Sequence, residues 1–307
     1  MKLAGRPNTG KALVAVLVLV VAASVFLLYR NEYVSAVSEG ETLTTTLVGT
    51  GDIATCPSTG DEATADLIDN IDGTIFTTGD NAYPDATDAD FQNCYEPSWG
   101  RHKPRIYPSP GNHEYHTSGA SGYFDYFGAA AGDPAEGYYS YELGNWHIVS
   151  LNSMCEEAGG CGEDSPMVSW LKEDLAASSN TCTLAYWHHP LFSSGYHGNQ
   201  DKMSPTWDAL YSANVDVVLN GHDHAYERFA PQDPSGVADS ARGIREFVVG
   251  TGGADLRPFE NIQPNSEVRN AGTHGVFKLT LQATSYDWEF VPVAGKTFAD
   301  SGRDSCH

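Results

Sequence analysis

Five places in this chain set a metal-capable side chain directly behind a β-branched or apolar run. LTTTLVG (43–49) leads into Gly51-Asp52, and GTIFTTG (73–79) into Asp80-Asn81-Ala82-Tyr83. RIYPS (105–109) precedes Gly111-Asn112-His113-Glu114, CTLAYW (182–187) precedes His188-His189-Pro190, and VDVVLNG (215–221) precedes His222-Asp223-His224. Such runs read as strands, and loops at the carboxyl ends of strands are where α/β folds build sites. Glycine before the polar residue lets the backbone turn sharply and approach an ion. Alone, a Gly-Asp pair is a common turn. His222-x-His224 is sharper, because residues two apart on an extended segment share a face. Five such strand ends in order are hard to obtain without a shared purpose.

Between these runs the pattern alternates. DEATADLIDNI (61–71), SPMVSWLKEDLAAS (165–178) and SPTWDALYSAN (204–214) read as helices, with Ser165 as N-cap and Pro166 in the first turn of the second. YYSYELG (138–144) and NWHIVSLN (145–152) read as an antiparallel pair, and 245–251, 275–283 and 284–293 as further strands. Alternation early and hairpins late argue for mixed sheets flanked by helices, an α/β (α+β) fold. No internal repeat or interdomain linker breaks the region after residue 44, so 45–307 reads as one domain.

Residues Ala12 to Tyr29 carry no charge and follow Lys2, Arg6 and Lys11. That is a basic region before an apolar core, so 1–36 reads as a cleaved signal peptide or a retained signal anchor, and 37–44 as a polar linker. Val34-Ser35-Ala36 offers a cleavage site. Either way the remainder is expected outside the cytoplasm, secreted or membrane-anchored. Six cysteines fit that compartment: Cys56, Cys94, Cys155, Cys161, Cys182 and Cys306. Cys155 and Cys161 flank a short loop, Cys56 and Cys94 each follow a strand-end motif, and Cys182 with Cys306 is the remainder. Clustered Cys-x-x-Cys spacing for zinc is absent. A net charge of −23 excludes a surface for sequence-independent nucleic-acid binding, which runs on Lys and Arg.

The five motifs together supply carboxylates, an amide oxygen, a phenol and imidazoles. This oxygen and nitrogen set suits Fe, Mn or Zn. One carboxylate between two ions serves a two-metal hydrolytic site, where the ions furnish a nucleophile and clamp phosphoryl oxygens. In a protein this acidic, the ions also reverse the local charge for an anionic substrate.

GD…GDNAY…GNHE…H…GHDH, in this order, resembles the calcineurin-like metallophosphoesterase superfamily. Tyr83 in the GDxxY element and AYER (Ala225 to Arg228) resemble its purple acid phosphatase branch. The resemblance covers residues 45–295 or so and implies two mixed β-sheets packed face to face as a sandwich with flanking helices. It implies that Asp52, Asp80, Tyr83 and His224 hold an iron, that Asp80 bridges, and that Asn112, His188 and His222 hold a second metal, Fe, Zn or Mn. The Tyr83 phenolate would colour the protein. His113 would contact the phosphate and protonate the leaving oxygen. His197, nine residues beyond His188, would be another substrate-contacting imidazole. His188 rather than His189 matches the family ligand, which stands two residues before proline. The sequence departs from the family pattern at Ala54, where glycine is usual, and at Ala185, where valine is usual. No plant-type N-terminal β-domain is expected.

The implied activity is hydrolysis of small phosphomonoesters by a metal-bound hydroxide. The alternatives are a phosphodiesterase or nucleotidase on the same site, or a non-catalytic binding protein of the same fold. Glu114 and Glu227 are expected to orient neighbours by hydrogen bonds. His102, His116, His147 and His274 read as surface or sheet histidines, Tyr186 and Trp187 as core, Gly250 to Gly253 as a plain turn, and Asp85, Asp88 and Asp90 as a solvated loop.

Overall fold

The computed structural model describes residues 44–307. The expected signal peptide or anchor at 1–36, and residues 37–43 of the expected linker, lie outside the described residues. Among the described residues no helix is long and apolar enough to cross a membrane.

The chain runs β1 (Thr45–Thr50), β2 (Ala54–Thr55), α1 (Gly60–Ile68), β3 (Thr74–Thr78), β4 (Ala82–Tyr83), β5 (Ile106–Ser109), α2 (Ser121–Phe127), β6 (Tyr139–Leu143) and β7 (Trp146–Ser150). It continues through α3 (Pro166–Ala177), β8 (Cys182–Tyr186), α4 (Ser204–Ser212), β9 (Val217–Asn220), β10 (Tyr226–Phe229), β11 (Arg245–Val249), β12 (Ser266–Asn270), β13 (Gly275–Leu281), β14 (Ser285–Pro292) and β15 (Ser301–Ser305). One sheet has six strands in the order β15-β14-β13-β1-β3-β5, the other seven in the order β12-β10-β11-β9-β8-β7-β6.

The layers follow from the two-residue period of a strand. Leu47, Phe76, Phe277 and Leu279 of the first sheet meet Ile148, Leu184, Leu219 and Phe247 of the second in one buried core. Their sequence neighbours face the other way: Val48, Ile75 and Val276 pack under α1 and α2, and Val149, Ala185 and Val218 pack under α3 and α4. Strands covered on both faces are apolar at consecutive positions, which is why these runs read so clearly. Tyr186 and Trp187 are fully buried, as expected. At α3, Ser165 Oγ accepts from the Val168 N–H and Pro166 opens the helix.

β1, β3 and β5 are parallel, and so are β7, β8, β9 and β11. Their carboxyl ends therefore gather the five motifs. β2 pairs with β4, Ala54 to Ala82 and Thr55 to Tyr83, zipping the loops after β1 and β3 together. All six cysteines are paired, as Cys56–Cys94, Cys155–Cys161 and Cys182–Cys306. The first ties the same two site loops, and the last closes a 124-residue separation near the carboxyl end.

His147 is buried on β7 rather than lying at the surface. Its Nδ1 is 2.9 Å from Glu142 and its Nε2 2.7 Å from Asp174. Burial opposes its charge, but the hydrogen bonds to Asp174 and Glu142 outweigh burial and raise its pKa. A raised folded-state value gives stability that is full below the unfolded value of about 6.5 and fades as pH climbs through the folded one. Asp174 is lowered: burial pulls upward and is outweighed by the bonds from His147 and Ser140. Its contribution is therefore lost only in acid. We expect His147→Gln to cost roughly 1–3 kcal/mol at pH 5, shrinking toward pH 8, in urea midpoints measured across that range.

Candidate metal centre

The seven side chains picked from the strand ends converge. Tyr83 Oη lies 3.0 Å from Asp52 Oδ1, 3.1 Å from Asp80 Oδ2 and 3.2 Å from His224 Nε2. His224 Nε2 is 3.3 Å from Asp52 Oδ1. On the other side of Asp80, His188 Nε2 lies 3.2 Å from Asp80 Oδ2, 3.1 Å from Asn112 Oδ1 and 3.2 Å from His222 Nδ1. The two donor sets share the Asp80 carboxylate. Donors about 2.1 Å from one ion stand about 3.0 Å apart at right angles and about 3.4 Å apart tetrahedrally, so these spacings fit coordination shells.

The count of protons points the same way. His188 Nδ1 donates to the Thr78 carbonyl (2.8 Å) and His224 Nδ1 to the Asp255 carbonyl (2.8 Å). In its neutral form each ring therefore turns a lone pair on Nε2 toward carboxylate, amide or phenol oxygens. One Tyr83 proton faces three acceptors. Acceptors crowded around acceptors call for positive charge. Asp80 is held well below the usual carboxylate range: burial opposes this, and the charges and hydrogen bonds of His188 and His113 overcome it. Burial lowers His188, yet the Asp80 charge lifts it to about 9. Tyr83 is pushed well above 10, by burial and then by Asp52 and Asp80. Cations between these groups reverse that balance and favour the phenolate. Among the described residues, Asp52, Asp80 and His188 form one cluster able to hold a cation, and His188, His189 and His222 another.

The backbone is bent to present these groups. Asp52, Asp80 and His222 take φ of 59°, 50° and 68°, in the left-handed region that L-residues rarely occupy. This corrects the role assigned to the glycines. At Gly111 the need is close approach: a Cβ there would stand 2.3 Å from Asp80 Oδ1 and 2.6 Å from its backbone nitrogen. Gly79 is the one that also turns, at φ 84°. Gly250 is likewise no plain turn residue, since a Cβ on it would come 2.6 Å from Asp52 Oδ2.

Glu114 lies beneath the site, fully buried. It accepts backbone N–H bonds from Asp80 (2.9 Å), Asn81 (2.8 Å) and Gly111 (2.6 Å), clasping two motif loops. Burial, then the Asp80 charge, pushes its pKa up to about 7. Glu227 orients neighbours more remotely. It accepts from Ser194 N (2.8 Å), Ser194 Oγ (2.5 Å) and Ser266 Oγ, and so fixes the loop that carries His197.

His113 sits at the rim with Nδ1 bonded to the Pro84 carbonyl, its ring 4.4 Å from that of Tyr83 and Nε2 3.8 Å from Asp80 Oδ2. The His197 ring stacks on that of His222 at 4.2 Å. Burial lowers its pKa, and Arg257 adds to that. His189 lies beside the donors, its ring 4.2 Å from that of His222, but its Nδ1 meets Ser153 Oγ at 2.8 Å, and Ser153 Oγ also accepts its backbone N–H. Sequence reasoning missed Asp223, between the two imidazoles. Buried, it accepts from the His197 N–H (2.7 Å) and from Ser193 Oγ, so one motif holds both ligand candidates and the neighbouring loop. Its place inside GHDH was the available signal. His102 is buried against the Ala65 carbonyl, His274 bonds the Ala254 carbonyl, and exposed His116 pairs with Asp85.

Residues 46–226 match the family model for calcineurin-like phosphoesterases. The chain belongs to that family. Its similarities lie in the purple acid phosphatase-like branch. Purple acid phosphatase 15 of Arabidopsis thaliana is 28% identical over 199 residues, covering 53% of this chain and 37% of that one. Purple acid phosphatase 22 of the same plant is 34% identical over 98 residues, 30% of this chain and 22% of that one. This calcineurin-like chain thus spans well under half the length of these relatives. By fold it is similar to a purple acid phosphatase from yellow lupin (Lupinus luteus) seeds, with TM-score 0.69 and 18% identity over 86% of this chain and 54% of that one. It is also similar to GAP50, the anchor in the inner membrane complex of Plasmodium, with TM-score 0.67 and 13% identity over 86% and 89%. A dinuclear metal centre is what this family implies, and the donor set described above fits it.

Proposed function

We propose that residues 45–307 are the catalytic domain of an exported, dinuclear metal-dependent phosphatase that hydrolyses small phosphomonoesters. The observation that carries this is the pair of donor sets meeting at Asp80. Asp52, Asp80, Tyr83 and His224 would hold a first ion, iron in this reading, and Asp80, Asn112, His188 and His222 a second, Fe, Zn or Mn. Bound there, the ions would supply Lewis acidity at the phosphoryl oxygens and a water acidic enough to attack phosphorus near neutral pH. His113 anchors its ring through Nδ1 to the Pro84 carbonyl, which leaves Nε2 to meet the substrate and, when protonated, to donate to the leaving oxygen. His197 receives a hydrogen bond at Nε2 from Arg257, so its donor is Nδ1–H, available to a phosphoryl oxygen. Three disulfides support an oxidising compartment. The apolar segment at 12–29 supports export by a cleaved signal or an anchor.

Iron- and zinc-loaded protein is expected to hydrolyse 4-nitrophenyl phosphate faster than bis(4-nitrophenyl) phosphate, to lose both activities on chelation, and to absorb visible light. Tyr83→Phe is expected to lose that absorption. Preference for the diester would replace this reading with a phosphodiesterase, and loaded protein inert to both esters would replace it with a binding protein.

A further inference from the structure

Beside the proposed second metal position lies an imidazole that the proposed chemistry has not used. Side chains next to each other on an extended strand point to opposite faces. β8 ends at Tyr186, so His188 and His189 escape that rule, and their rings stand 4.9 Å apart at 87°. The turn is held from both flanks. Trp187 Nε1 donates to the His189 carbonyl at 2.7 Å, and the Gly221 N–H to the His188 carbonyl at 2.9 Å. The His189 ring also reaches that of His222, at 4.2 Å. One ligand nitrogen from each of His188, His189 and His222 lies within 4.8 Å of the others. Bonds of about 2.1 Å place opposite donors of one ion about 4.2 Å apart, so a slight closing of these rings completes a shared shell.

The hydrogen bonds of His189 match those of a ligand. A ligating imidazole commonly gives the proton of its other nitrogen to a nearby acceptor, which fixes the tautomer and aims the ring. His188 does this with the Thr78 carbonyl and His224 with the Asp255 carbonyl. His189 Nδ1 stands 2.8 Å from Ser153 Oγ. Ser153 is buried, and its hydroxyl also accepts the His189 backbone N–H at 3.1 Å. His189 itself is 5% exposed, and among the described residues its Nε2 has no hydrogen-bond partner. A buried ring nitrogen left without a partner costs free energy. A cation shared with His188 and His222 would supply that partner.

We propose that His189 is a third imidazole ligand of the second cation, through Nε2, and that it gives this position a preference for zinc over manganese. The assignment rests on the dinuclear reading above. With His189 the shell becomes rich in nitrogen beside the oxygens of Asp80 and Asn112. Imidazole suits zinc, whereas carboxylate, carbonyl and water suit manganese. Ser153 is then a positioning residue, which holds the His189 ring through Nδ1.

The test is X-ray absorption at the zinc edge of iron- and zinc-loaded wild type and His189→Phe, which keeps a ring against His222 but no nitrogen. Zinc in the wild type is expected to show the imidazoles of His188, His189 and His222, and in His189→Phe one imidazole fewer. Calorimetric titration of the same proteins with zinc and with manganese reads affinity without turnover. The preference for zinc is expected to fall roughly tenfold or more in His189→Phe, and Ser153→Ala to weaken zinc roughly tenfold. An equal number of imidazoles in wild type and variant would overturn the proposal. So would equal weakening of both metals, which would make His189 mere packing for His222. If His189→Phe fails to fold, the wild-type spectrum decides: zinc with only the imidazoles of His188 and His222 refutes the ligand. One zinc per chain without iron, losing an imidazole in the variant, would end the dinuclear reading and leave His189 a ligand. A chain that binds no zinc would overturn both.

Discussion

Replacing Asp80 with Asn is expected to lower phosphatase activity by at least about 10³-fold and to reduce the bound metal below two ions per chain. Asp80 is the one carboxylate whose oxygen stands within 3.2 Å of both donor sets, at Tyr83 Oη and at His188 Nε2. Its other oxygen accepts the His113 N–H at 2.9 Å. Asparagine keeps the volume and that acceptor but removes the negative charge that would bridge two cations. The loss belongs to chemistry and not to folding, so the variant should keep its circular dichroism spectrum. The check is kcat on 4-nitrophenyl phosphate together with elemental analysis of the purified variant. Two ions retained with near wild-type turnover would contradict the shared-carboxylate geometry.

Glu114→Ala should be the most damaging change beneath the site. Three buried backbone N–H groups, those of Asp80, Asn81 and Gly111, lose their acceptor together. At roughly 1–3 kcal/mol for each orphaned donor, stability should fall by at least about 3 kcal/mol. Activity should fall as well, because the loops bearing Asp80 and Asn112 are no longer clasped. Urea unfolding of the two proteins gives the number, and a change under about 1 kcal/mol would show that water replaces the carboxylate.

The parts of the fold legible in the sequence were those where one physical demand dominates. β1, β3, β8 and β9 are covered on both faces, so they appear as runs of β-branched and apolar residues without charge, ending in a polar ligand candidate. β10 escaped because Glu227 and Arg228 make Tyr226–Phe229 look like a loop; inside the sheet those charges are met by Ser194, Ser266, Asp300 and Glu267. β12 and β15 escaped because they are edge strands, SEVRN and SGRDS, whose charges suit exposed sheet edges. α2, SGYFDYF, is aromatic and buried where helical patterning expects a polar face.

At the site, side chains that touch a cation must belong to a small set of types, so Asp52, Asp80, Tyr83, Asn112, His188, His222 and His224 stood out. The groups that orient them are often backbone carbonyls, Thr78 for His188 and Asp255 for His224, and any residue supplies a carbonyl. The left-handed turns at Asp52, Asp80 and His222 were hidden for a related reason. Nothing in the letter Asp announces φ of 59°; the glycines beside it announce only that something lies close.

The central claim is that two cations sit side by side on either hand of Asp80. Anomalous diffraction from crystals of metal-loaded protein, collected at the iron and zinc edges, measures this directly. The expected result is two peaks about 3.5–4 Å apart, one among Asp52, Tyr83 and His224, the other among Asn112, His188 and His222. A single peak at full loading, or peaks remote from Asp80, would contradict it.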